Sequence, residues 1–181
     1  MGQYFQAVNL TKKEYVDPFD YDIGWKLTEG VWETKWTDVV LTLLSGRWHG
    51  DDVAYCGDYA WSEDSSADWS KWLHEHTDNN PFDSPEFKRI QPEWALHRFV
   101  VNETKNVYYD RLTCPYASWD DKEMFGRFDP LLVFLAAGNE LGGGDYYGAN
   151  KELAGSWLGD TIRGDFERPE NMTPIDSPFK E

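Results

Sequence analysis

The chain has no apolar run able to cross a bilayer: its longest, residues 131–137, holds seven residues, where an α-helical span needs about twenty. Its first twenty residues carry no basic-then-apolar signal pattern, and Gln6 stands where N-myristoylation of Gly2 would need Ser or Thr. Cysteine is nearly absent. Two residues, Cys56 and Cys114, are too few for a disulfide framework, so the expectation is a cytoplasmic protein with two reduced thiols. The four histidines and two cysteines make no His-Glu-x-x-His or Cys-x-x-Cys spacing, which argues against zinc. There is no Gly-x-Ser-x-Gly elbow, and no glycine-rich loop is followed by Lys-Ser or Lys-Thr.

Bases are scarce as well, 17 against 33 acids, for a net charge of −16 over 181 residues. The excess is concentrated. Residues 51–87 hold ten acids and one base, while 1–50 hold seven and five and 88–181 hold sixteen and eleven. Such a stretch repels nucleic-acid and membrane phosphates and attracts basic surfaces.

What the chain does have is recurrence. Residues 7–17, AVNLTKKEYVD, return as residues 100–110, VVNETKNVYYD. Each reads as a strand, a polar turn in which Asn9 and Thr11, or Asn102 and Thr104, favour the bend, and a returning strand. Apolar spacing then predicts a short helix in each half. Val39, Val40, Leu43 and Leu44 precede Gly46, and Leu131, Leu132, Leu135 and Ala136 precede Gly138, with Thr37 and Asp129 as N-caps. Last comes Trp-x-Gly-Asp-x-(Val/Ile) with a short strand and Gly-Asp-aromatic, from Trp48 to Tyr59 and from Trp157 to Phe166.

The fold expected is α+β, two pseudo-repeats of hairpin, helix and strand sharing one core. Repeat one covers 4–60, an acidic insertion 61–96 and repeat two 97–166, in one domain spanning 1–166. Residues 167–181 read as a loosely ordered tail. Within the insertion, residues 64–76 read as an amphipathic helix and 78–92 as a loop rich in Pro and Asp.

The elements Met1-Gly2-Gln3-Tyr4, Val8-Asn9, Lys13-Glu14-Tyr15, Trp-x-Gly-Asp and Gly-Gly-Gly-Asp-Tyr resemble a family of uncharacterised bacterial and phage proteins. The resemblance covers most of residues 1–60 and 138–166. It implies a bacterial or phage source and no activity, and the acidic, Trp-rich insertion departs from its pattern.

Three kinds of site follow. Asp51, Asp52, Asp58, Glu63, Asp64, Asp68 and Glu75, with Trp61, form a candidate surface for a basic, nucleic-acid-binding protein. On this reading the chain is a non-enzymatic acidic inhibitor that imitates nucleic acid, of the kind phages and mobile elements carry, and it needs no cofactor. The alternative is a metal-dependent hydrolase or nuclease built on Asp51, Asp58, Asp145, Asp160 and Asp165. That would require carboxylates of both halves to converge, since each strand holds its own pair of Gly-Asp turns about 20 Å apart or a little less. A third reading takes Gly143, Gly144, Asp145, Tyr146 and Tyr147 as a loop for a small molecule or nucleotide.

Overall fold

The structure, a computed structural model, describes residues 2–61, 67–119, 123–148 and 150–176, and only the backbone of 116–119 and 123–126. The fold is mixed α+β. In chain order its elements are β1 (Phe5–Asn9), β2 (Glu14–Val16), α1 (Leu27–Trp32), α2 (Thr34–Ser45), β3 (Val53–Gly57), α3 (Asp68–His76), β4 (Lys88–Arg89), β5 (Phe99–Asn102), β6 (Val107–Asp110), β7 (Tyr116–Trp119), β8 (Glu123–Arg127), α4 (Leu131–Phe134), β9 (Ala136–Ala137), β10 (Ile162–Asp165) and β11 (Thr173–Pro174). One sheet runs β4-β2-β1-β3-β9 and a second β10-β5-β6-β11, both mixed, while β7 and β8 pair by themselves.

Both hairpins are locked by the same set of side chains. Asn9 Oδ1 accepts from Lys12 N at 2.7 Å, and its amide nitrogen donates to Asp51 Oδ2 at 2.8 Å. Asn102 does the same with Lys105 N at 2.9 Å and Asp160 Oδ2 at 2.7 Å. Lys12 pairs with Asp51 and Lys105 with Asp160. The third strand is tied in equivalently: Thr11 Oγ1 accepts from Asp52 N at 3.0 Å, and Thr104 Oγ1 from Thr161 N at 2.8 Å. Lys13 and Asn106 take φ of 54° and 55°, and Gly50 and Gly159 take 77° and 79°. The last two positions need positive φ, which only glycine adopts without strain.

Helix α2 starts earlier than its sequence signals indicate. It begins at Thr34 after an N-cap at Glu33 that makes no side-chain capping bond. Thr37, expected as the cap, is instead fully buried inside the helix beside Trp36. Burial of that first turn replaces capping as the source of its stability. The second expected helix is shorter than predicted. Asp129 does receive Leu131 N at 3.2 Å, but α4 ends at Phe134 and Ala136–Ala137 leave as β9 to pair with β3. An edge of the first sheet competes for these backbone groups and wins them, with Tyr55 N donating to Leu135 O at 2.8 Å.

The largest buried cluster draws Phe5, Val16 and Tyr55 from the first sheet, Val100, Tyr109 and Ile162 from the second, and α1, α2 and α4 between them. A second cluster lies on the opposite face of the first sheet, where Trp69 and Leu73 of α3 cover Val8, Ala54 and Cys56. Cys56 and Cys114 are both buried and form no disulfide. The stretch expected to hang loosely at the end is partly held: β11 runs parallel to β6, and Ile175 N donates to Tyr108 O at 2.8 Å. Residues 177–181 lie outside the described residues.

Asn9 and Asn102 are both fully buried, so Asn9→Ala and Asn102→Ala should each cost about 1–3 kcal/mol, measured by urea denaturation; a loss at one site alone would break the equivalence. The buried Arg111, bonded to Asp38 and Asp129, gives a larger effect: Arg111→Met strands two carboxylates and should cost about 3–5 kcal/mol in the same assay.

Candidate functional site

The acidic segment divides into carboxylates held by the fold and carboxylates left to solvent. Asp51, its side chain 13% exposed, is engaged by Asn9 and Lys12. Asp52 is hydrogen-bonded to Thr11 and lies 3.5 Å from His76 Nε2. Asp58 Oδ1 accepts from Tyr4 N at 3.0 Å. Trp61 is partly buried against the α3 cluster, and Glu63 and Asp64 lie outside the described residues.

Asp68 and Glu75 are exposed on α3, whose other face buries Trp69, Ser70 and Leu73. Glu75 stands 3.9 Å from Lys71, beyond hydrogen-bond reach. After α3, Asp78, Asp83 and Glu86 are exposed too. Asp78 and Asp83 were missing from the candidates drawn from sequence, although the charge count of 51–87 already contained them. The helix expected over 64–76 begins at Asp68, and residues 62–66 are outside the described residues.

The carboxylates proposed for a metal are not gathered. Asp51 and Asp160 serve their own hairpins, Asp165 pairs with Arg163, and Asp58 holds Tyr4. Among the described residues no group of three or more His, Cys, Asp or Glu could hold an ion. The Gly-Asp pairs are turn chemistry, in which the carboxylate fixes neighbouring backbone and side-chain donors.

The glycine-rich excursion between β9 and β10 is likewise folded onto the chain. Gly143 bridges Gly2 and accepts Gln3 N at 2.9 Å, while Gly144 O accepts Thr28 N and Thr28 Oγ1, both at 3.1 Å. Asn139 clamps Tyr146 through two bonds of 3.0 and 2.8 Å, and Tyr147 donates to Gly142 O at 2.8 Å. Asp145 points inward, 2% exposed, and its Oδ2 accepts Gly142 N at 2.9 Å. Burial pushes its carboxyl above the ordinary value; nearby amides of Gly142, Glu140 and Leu141 oppose the shift and the charge of Asp58 adds to it.

Beside it lies a residue that sequence reasoning passed over. Gln3 is fully buried, and neither atom of its carboxamide has a hydrogen-bond partner among the described residues. The amide packs over Gly57 and Gly138, where a Cβ would meet its nitrogen at 1.8 and 2.5 Å. The only sequence signal for it was the opening Met-Gly-Gln-Tyr pattern.

The start of α3 and the stretch that follows β9 meet at an open pocket of about 510 Å³. Ala67, Asp68 and Trp69 form one wall; Asn139, Glu140, Lys151, Glu152 and Ala154 to Ser156 form the other. Glycines permit this approach: at Gly155, φ is 76° and a Cβ would lie 3.3 Å from that of Trp69. Lys151 is paired with Glu140, so Asp68 and Glu152 give the rim a negative balance.

A pH measurement checks the Asp145 environment. A carboxyl whose value is raised on folding supports the native state below its unfolded value of about 3.9 and ceases to do so as pH rises through the raised value. Asp145→Asn should therefore gain stability relative to wild type between pH 3 and pH 7, seen as a widening Tm difference in the variant's favour. A constant difference would refute the assignment.

Comparison with protein-family models, with curated proteins and with solved structures finds no match for this chain.

Proposed function

We propose that the protein is a non-enzymatic acidic binding protein that occupies the basic, nucleic-acid-binding surface of another protein, an inhibitor of the kind carried by phages and mobile elements. One observation carries this reading. Ten of the bases, Lys12, Lys13, Arg47, Lys71, Arg89, Arg98, Lys105, Arg111, Lys151 and Arg163, stand within salt-bridge distance of carboxylates of the chain itself. With these ten of the 17 bases engaged within the chain, the excess of 33 acids behind the net charge of −16 leaves carboxylates to set the surface charge. Those of α3 and the loop behind it, Asp68, Glu75, Asp78 and Asp83, are exposed on a scaffold fixed by Trp69 and Leu73.

The two hairpin units are, on this reading, copies of one ancestral hairpin-helix-strand unit. The copy relation assigns Asp51 and Asp160 to folding. It leaves the acidic insertion, which has no counterpart in the second half, to carry the partner-specific charge. Encounter steered by such charge is fast and weakens with salt.

The test uses the immobilised full chain and a variant carrying Asp68→Asn, Glu75→Gln, Asp78→Asn and Asp83→Asn. Wild type should retain basic nucleic-acid-binding proteins from a bacterial lysate, release them to added duplex DNA and lose them as salt rises. The variant should associate about tenfold more slowly or worse. Equal capture by both forms, or capture that DNA does not compete, would overturn the proposal.

A further inference from the structure

Three aromatic rings stand in a row, Tyr4 and Phe19 exposed and Trp25 half-buried between them. Strand alternation turns Gln3 and Phe5 inward, so Tyr4 faces out and is 47% exposed. Phe5 N donates to Trp25 O at 2.6 Å, which lays residue 25 beside Tyr4. Tyr4 and Trp25 meet edge-on with centroids 5.3 Å apart, and Phe19, 63% exposed, stacks on Trp25 at 5.0 Å and 23°. The row is held from below. Trp25 Nε1 donates to Asp17 Oδ1 at 2.6 Å, and the turn carrying Phe19 is closed by Asp22, whose φ is 62°.

Carboxylates rim the rings. Asp22 is exposed, and Asp58 is bound to the backbone of Tyr4 from both sides, with Asp58 N to Tyr4 O at 2.9 Å and Tyr4 N to Asp58 Oδ1 at 3.0 Å. Next to Phe19, Asp20 grips the guanidinium of Arg89 through Nε at 2.8 Å and Nη2 at 2.5 Å. That pair shows within the chain what the rim can do with a guanidinium.

Resting on the proposed basic partner, we infer that the Tyr4–Trp25–Phe19 row is the surface that reads the partner's arginines. A guanidinium lies flat on an aromatic face, whose quadrupole attracts it, while its N–H edge reaches a carboxylate; a lysine ammonium is more strongly hydrated and has no plane to stack. Phosphorylated ligands are repelled by the rim and by the net charge. The row thus adds a preference for arginine to the unspecific attraction supplied by the acidic insertion.

The experiment measures binding of capped oligo-arginine and oligo-lysine peptides of equal length to the full chain, by fluorescence anisotropy of the labelled peptide. Wild type should favour the arginine peptide several-fold. The Tyr4→Ala, Phe19→Ala pair should lose about tenfold in affinity for it and little for the lysine peptide, with Tyr4→Phe retaining wild-type binding. Phe19→Ala alone, a side chain in solvent, serves if the pair unfolds. Equal binding of the two peptides, or no effect of the ring substitutions, overturns the inference. So does ring-dependent binding of neutral oligosaccharides in place of arginine. If the α3 charge variant abolishes binding of both peptides while the ring variants do nothing, the acidic-surface reading stands and the arginine row falls. If neither peptide binds wild type, both fall.

Discussion

One buried guanidinium ties the second sheet to helices α2 and α4. Arg111 leaves β6 and donates to Asp129 Oδ2 ahead of α4 and to Asp38 Oδ1 of α2, both at 2.5 Å, and to the carbonyls of His97 at 2.6 Å and Thr34 at 3.1 Å. Tyr109 completes it with a bond of 2.6 Å to Asp129 Oδ1. Burial alone would lower the Arg111 value, and the fields of Asp129 and Asp38 more than reverse that, so the group stays charged. A charge taken out of water tolerates no loose geometry. Its partners come from three separate stretches of chain, α2, the residue His97 and Asp129 ahead of α4, so satisfying it fixes α2 and α4 against the second sheet together.

That cluster explains what was and was not legible beforehand. Hairpin turns are local chemistry: Asn9 and its third neighbour Lys12 bond within four residues, so the motif announces itself in the sequence. Arg111 and Asp38 are 73 positions apart, and no periodicity or motif links them. The early start of α2 was hidden for the same reason, because its first turn is stabilised by burying Trp36 and Thr37 and not by a capping residue. α4 was overestimated because a 3.6-residue pattern of Leu and Ala does not reveal that a sheet edge awaits Ala136 and Ala137.

The Gly-Asp carboxylates were visible but ambiguous. An Asp after Gly suits a turn and a metal equally by type, and only the position of Asn9 and Lys12 over Asp51, repeated at Asp160, decides for the turn. Gln3 was the reverse case. A lone glutamine near the start of a chain gives no sign that Gly57 and Gly138 would close over its amide.

Charge and packing are consequently separable in this fold. Residues that make the units cohere, Asn9, Asp51, Asn102, Asp160 and Arg111, are buried or largely so and answered by a partner. Those that set the surface potential, Asp68, Asp78 and Asp83, stand exposed, and no salt bridge engages them among the described residues. Helix α3 makes this division workable, since it spends Trp69 and Leu73 on the first sheet and gives its remaining face to charge. Its close seating depends on Gly155 and Gly159, where a side chain would press on Trp69 and on Trp72 Nε1 at 3.1 Å. These two glycines thus act as a seat for α3, and substitutions on its outer face can change the surface charge without disturbing the Arg111 cluster.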